Sequence, residues 1–197
     1  MQNVPGRRPR ADTGFTLIDV LVTVLFLGIV TAIAIPGLQG FASTMKLGEG
    51  TRDVERELQT ARLKAVTANT AMRVRFDCPG AGQYRMVELL GTPTVPDAND
   101  SVPARCTQGS YPYPPADQDL LTRPNNDGPA RELPEGVSFG TAATLEFWPD
   151  GTVHQQVAGE TPWAAVPADV GTTVTLTKDS VVKTITVNGL GKIQLQQ

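Results

Sequence analysis

The feature that most constrains this chain is an apolar run near its start, Phe15-Thr16-Leu17-Ile18-Asp19-Val20-Leu21-Val22-Thr23-Val24-Leu25-Phe26-Leu27-Gly28-Ile29-Val30-Thr31-Ala32-Ile33-Ala34-Ile35. Its one charge is Asp19, and the sixteen residues from Val20 to Ile35 carry none. As a helix at 1.5 Å per residue the run is about 31 Å long, the thickness of a bilayer's hydrocarbon core. A core helix of a water-soluble domain would carry polar residues along one face, and here Thr23 and Thr31 are nearly the only ones. The run therefore reads as a membrane-spanning segment, and its boundaries predict a helix over 15–36.

What flanks the run decides its fate. Before it lies MQNVPGRRPRADTG, with Arg7, Arg8 and Arg10 against Asp12. An ordinary secretory signal ends in a small-residue cleavage site after its apolar stretch. This one is followed by Pro36-Gly37, and the small residue, Gly14, precedes it. Residues 1–14 read as a basic leader that holds the amino end in the cytoplasm, with the remainder exported. The charge distribution agrees, since from residue 79 onward seven Lys and Arg face thirteen Asp and Glu, a net of −6.

Residues 37–69, read as the amphipathic second half of the helix, carry a second pattern, which runs from Phe41 to Met72. Leu47, Val54, Leu58, Ala61, Ala65, Ala68 and Met72 recur in steps of 7, 4, 3, 4, 3 and 4. That is one face of a helix. Arg52, Glu55, Arg56, Gln59 and Arg62 fall off it. The reading is one long helix that bends or melts near Pro36 and stops at Asn69.

Beyond it, residues 70–197 change to period two. Strands are predicted at 72–76 and 84–89 around Pro79-Gly80-Ala81-Gly82, at 144–148 and 152–157 around Pro149-Asp150-Gly151, at 172–178 and 181–187 around Asp179-Ser180, and at 192–195. Residues 91–136 are rich in Pro, Gly, Asp and Asn and read as a long loop with at most short strands. The expected fold class is α+β: a long amino-terminal helix packed on a carboxy-terminal antiparallel β domain. Cys78 and Cys106 both flank loop-like stretches. They are either bridged by a disulfide in an oxidising compartment or buried as two thiols.

The residues from Gly14 to Pro36 resemble the type IV pilin signature: Gly14, then Phe15-Thr16-Leu17-Ile18-Asp19-Val20-Leu21-Val22, an unbroken apolar stretch, and Pro36. The resemblance implies that a prepilin peptidase cuts between Gly14 and Phe15, that Phe15 becomes an N-methylated amino terminus, and that the helix waits in the inner membrane before entering a filament. It implies other pilin or pseudopilin subunits as partners through that helix, with secreted proteins as further partners. Asp19 stands where the family carries Glu. Its implied partner is the Phe15 ammonium of a neighbouring subunit, and the competing reading is a carboxylate marking the membrane interface. Leu58 to Asn69 followed by the strand ending Arg75-Phe76-Asp77, the Leu145-Glu146-Phe147-Trp148-Pro149-Asp150-Gly151-Thr152 stretch, and Ile185 to Ile193 are similar to H-type minor pseudopilins of type II secretion and to FimT-like minor pilins. The first implies a structural subunit of a secretion pseudopilus. The second implies pilus biogenesis or DNA uptake, with Lys178, Lys183 and Lys192 as its basic candidates.

Catalysis finds no support in the residues. The single histidine, His154, follows the Asp150-Gly151 turn, and two separated cysteines lack zinc spacing. There is no nucleophile elbow, phosphate loop or dinucleotide fingerprint. Asp117, Asp119, Glu132 and Glu135 lie in loop-like segments, where solvated carboxylates are the rule. No catalytic residue, metal or cofactor is expected, and an acidic distal half is a poor surface for nucleic acid.

Overall fold

A computed structural model describes residues 15–91, 100, 103–106, 126–156 and 163–196. The chain divides into two units, Met1–Phe41 and Ala42–Gln197. Helix α1, Leu17–Ala68, begins in the first and ends in the second. Its backbone is helical across Pro36, so the chain does not melt there. A proline removes one donor, and the hydrogen bonds on either side stay in place. The helix stops where the sequence places its end. Asn69 adopts φ of 53°, a left-handed conformation that asparagine tolerates and most residues resist, and the Thr70 amide turns back to donate to the Ala65 carbonyl at 3.3 Å. Replacing Asn69 by alanine is expected to cost the second unit about 1 kcal/mol, and glycine close to nothing. Urea unfolding followed by tryptophan fluorescence checks this, and equal costs for the two variants would contradict it.

In the second unit, α1 carries Leu47, Val54, Leu58, Ala61 and Ala65, all fully buried. Ala68 is only partly buried, and Met72 belongs to the first strand rather than the helix. Strands β1 (Met72–Phe76), β2 (Gln83–Glu88), β3 (Arg131–Glu132), β4 (Ser138–Ala142), β5 (Thr144–Phe147), β6 (Val153–Gln156), β7 (Ala164–Ala165), β8 (Thr172–Lys178), β9 (Val181–Val187) and β10 (Ile193–Gln196) follow. They form a six-stranded sheet in the order β3-β2-β1-β5-β6-β7 and a four-stranded sheet in the order β10-β9-β8-β4. Every pairing is antiparallel. The α+β architecture expected from the change of period is the architecture observed.

Alternation explains which side chains meet the helix. Met72, Val74, Tyr84, Met86, Leu145 and Phe147 from the first sheet join Val174, Leu176, Ile185 and Val187 from the second in one core with the helix face. Burial raises the pKa of the Tyr84 hydroxyl well above its ordinary value, with the nearby Asp53 charge acting in the same direction. One charge enters this region from the helix. Glu57 is 2% exposed and accepts from the Nε of Arg131 on β3 at 2.6 Å.

The structure adds two strands the period-two reading does not place, β4 and β7, and a third, β3, is a short strand within the 91–136 stretch. β3 and β7 are two residues each, too short to show a period. β4 reads Ser-Phe-Gly-Thr-Ala and its pairing with β8 shifts register between Phe139 and Ala142, so the irregularity breaks the alternation that would mark it.

Candidate functional site

The first unit supplies the segment from Phe15 to Asp19. Thr16 precedes the helix and Asp19 lies in its first turn. The Asp19 carboxylate accepts from the Thr16 amide at 3.1 Å and from the Thr16 hydroxyl at 2.7 Å. The Asp19 amide in turn faces the Thr16 hydroxyl oxygen at 3.4 Å. This is a capping box, in which a residue before the helix and one three positions on satisfy each other's free amides. The aspartate also sits at the positive end of the helix dipole. The sequence pattern Thr-x-x-Asp carries this signal in Thr16 and Asp19.

Behind the box the apolar side chains have no cover. Every residue from Phe15 to Ile35 is exposed, Phe15 to 86% and Leu17 to 78%. Among the described residues α1 is the one helix long and apolar enough to cross a membrane. Thr23 and Thr31 donate to the Val20 and Leu27 carbonyls at 2.9 and 2.8 Å, so even the hydroxyls within the run are satisfied inside the helix, as a hydrocarbon environment requires. A Cβ added at Gly28 would meet nothing within 4 Å. Gly14 lies outside the described residues, as does the side chain of Pro36.

The second unit holds the remaining sites. Cys78 and Cys106 are joined by a disulfide that spans 28 residues, with Cα atoms 5.4 Å apart. The bridge fastens the 3-10 turn Pro103–Cys106 beside β1 and β2. Under that turn lies a buried ionic network on the face of the first sheet away from the core. Arg73 donates to Glu146 from Nε at 3.0 Å and from Nη2 at 2.5 Å, and to the Asp100 carbonyl at 2.8 Å. Arg105, fully buried, reaches Asp100 at 3.1 Å and Asp127 at 3.2 Å. Arg85 donates to the Gly128 and Arg105 carbonyls. The Asp100 carboxylate closes the arrangement by accepting the amides of Leu90 and Gly91. The Trp163 ring covers Arg73 at 4.3 Å. Desolvation lowers the pKa of neighbouring Arg75, and the charges of Arg73 and Arg105 add to that effect.

The three basic candidates do not converge. Lys178 and Lys183 lie at the turn end of the β8–β9 hairpin, where Lys178 donates to the Glu135 carbonyl at 3.0 Å. Lys192 lies beyond the far end of β9, its amide held by Asn188. Asp179 accepts from Ser43 in the hairpin turn between the first two lysines. Glu132 and Glu135 are exposed, and Glu135 meets Lys46 at 3.2 Å. Asp117 and Asp119 lie outside the described residues. His154 packs against Trp148, with ring centroids 4.4 Å apart. Among the described residues no group of three or more His, Cys, Asp or Glu is arranged to hold a metal ion.

Comparison with known proteins gives a short result. No family model matches the sequence, and no curated protein does either. Among solved structures, the chain is similar to the type IV minor pilin FimU of Pseudomonas aeruginosa in two crystal forms. One shares 13% identity at a TM-score of 0.46, covering 80% of this chain and 92% of that one. The other shares 13% identity at a TM-score of 0.43, covering 77% and 93%.

Proposed function

We propose that the chain is a minor subunit of a type IV pilus-like filament, and more narrowly an H-type minor pseudopilin of a type II secretion system. The carrying observation is the pairing of a capped, fully exposed apolar helix with a folded β domain on the same helix. An exposed stretch of this length needs lipid before assembly and neighbouring helices after it. Residues 1–14 are the leader, 15–36 the membrane and filament segment, 37–69 the amphipathic continuation, and 70–197 the head, which the disulfide suits to an oxidising periplasm.

In this reading prepilin peptidase cuts between Gly14 and Phe15 and the new amine is N-methylated. Cleavage places that ammonium one residue before the Asp19 capping box. While the subunit waits in the inner membrane, Asp19 is held by Thr16. On assembly the carboxylate has lone pairs left to receive the ammonium of a neighbour. The pairing neutralises two charges in a dry filament core and sets axial register. Aspartate keeps the charge but reaches one methylene less far than glutamate, and its engagement by Thr16 holds it closer still to the helix end. That geometry fits a subunit present in few copies. The separation of Lys178 and Lys183 from Lys192 leaves no compact basic surface in the DNA-capture reading.

The test is intact mass spectrometry of the protein from membranes of cells carrying the peptidase. The expected species begins at methylated Phe15. Retention of Met1 beside an active peptidase would refute the processing step and the filament role with it.

A further inference from the structure

The Trp148-Pro149-Asp150-Gly151-Thr152 turn has no part in the assembly chemistry, yet it borders an open cleft of about 310 Å³. The cleft lies in the second unit, with Trp148, Asp150 and His154 on one side and Val166, Ala168 and Leu190 among its apolar lining. The turn that forms its rim is tightly fixed. The Gly151 amide donates to the Trp148 carbonyl at 3.0 Å and the Trp148 amide to the Thr152 carbonyl at 3.0 Å. Gly151 takes φ of 86°, which favours glycine. Asp150 Oδ1 accepts both the amide and the hydroxyl of Thr152, at 2.9 and 2.7 Å.

The polar group this rim leaves for a ligand is an acceptor. Asp150 uses only Oδ1 among the described residues, so Oδ2 is open. Thr152's hydrogen bonds hold the Asp150 carboxyl below its ordinary pKa, which keeps it an anion at neutral pH. His154 Nδ1 is buried and has no hydrogen-bond partner among the described residues. That nitrogen is closed to the cleft, and the ring takes part through its stack on Trp148. Trp148 Nε1 is turned aside to Glu146 at 3.3 Å, so the indole offers its ring to the cleft rather than its donor. An anion and an aromatic surface beside apolar walls suit a flat cation rich in N–H groups and carried on an apolar stem.

We propose that this cleft receives an arginine side chain from an extended segment of a partner polypeptide. The guanidinium would bond Asp150 Oδ2 beside the Trp148–His154 ring pair, and the stem would lie on Val166 and Leu190. Two further observations favour a polypeptide over a free small cation. The adjoining strand β7 ends the six-stranded sheet and pairs only with β6, so its outer edge is open to an added strand among the described residues. Leu190, at the cleft, and Val170 are 64% and 75% exposed, apolar surface that residues flanking the arginine would cover. The acidic balance of the distal half, −6 from residue 79 onward, favours the approach of a basic partner. Arg62 of α1 approaches the same loop through the Leu190 carbonyl at 3.4 Å but does not line the cleft.

Titration of the full chain in detergent micelles with acetyl-Val-Arg-Val-amide, read by NMR at the Trp148 indole and His154 ring, tests this. Saturable shifts are expected. The citrulline peptide, which keeps the shape and loses the charge, should bind about tenfold or more weakly. Asp150→Asn keeps the oxygen that Thr152 bonds, so the turn survives while the preference for arginine over citrulline is lost. Equal binding of the citrulline or norleucine peptide would overturn the cation assignment. Tighter binding of the lysine peptide would overturn the guanidinium, and agmatine binding as well as the tripeptide would overturn the polypeptide partner. No saturable shift with the arginine peptide would overturn the site.

Discussion

Glu146→Ala lowers the unfolding free energy of the head by about 3–5 kcal/mol, the cost of leaving a buried charge without its partner. Glu146 is 3% exposed and Arg73 5%. The truncation removes the acceptor of two guanidinium bonds and of the Trp148 indole bond. Arg73 Nη1 still donates to the Asp100 carbonyl, and a neutral dipole does not replace a carboxylate. Glu146→Gln retains an acceptor and should lose less. Changing Arg73 to Met and Glu146 to Leu together should restore much of the deficit, because neither charge of this pair is then left buried without the other. A double-mutant cycle in urea measures the coupling. Both tryptophans, Trp148 and Trp163, contact members of this network, so fluorescence follows it directly. A loss below about 1 kcal/mol for Glu146→Ala would place the pair among solvent-screened ion pairs and dismiss the network as a structural element.

The same network marks the limit of what the sequence displays. Met72-Arg73-Val74-Arg75-Phe76 announces a strand and divides its residues between two faces. The pattern assigns the apolar set to the core, and Met72 and Val74 are there. It cannot announce that the arginine face is also covered. The cover comes from Asp100, the Pro103–Cys106 turn and residues 126–128, remote in sequence and lying in a stretch with no period. Strands β8 and β9, by contrast, were legible to the residue, because alternating Thr, Val, Leu and Ile between Gly171, Asp179-Ser180 and Asn188 specifies both length and turn. The end of α1 was legible for a similar local reason, since Asn69 supplies the left-handed residue itself. The capping box was legible in principle from Thr16 and Asp19. The cleft beside Trp148 was not, since Val166 and Leu190 join it through the packing of three separate turns, and a lone histidine in sequence carries no hint of its neighbours.

Reducing the Cys78–Cys106 bond, or replacing both cysteines by alanine, is expected to destabilise the head by about 3–4 kcal/mol. In the chain-entropy model a loop of 28 residues gives about 3.6 kcal/mol from the unfolded state alone. For a domain of this size that corresponds to a fall in Tm of roughly 10 °C. The native-state effect adds to it. Cys106 follows Arg105, whose guanidinium joins Asp100 to Asp127, so freeing the turn loosens the lid over Arg73 and Arg85. The cysteine change and Glu146→Ala should therefore be less than additive, since each releases part of what the other held. Thermal unfolding of oxidised and reduced protein gives the first quantity, and the combined variant gives the second. A Tm unchanged by reduction would mean that the ion pairs alone hold the turn. With the loss confirmed, the compartment acquires a physical meaning: a chain kept from oxidation carries an incompletely clamped head, and protease sensitivity of the 100–106 region should rise in step with its thiol content.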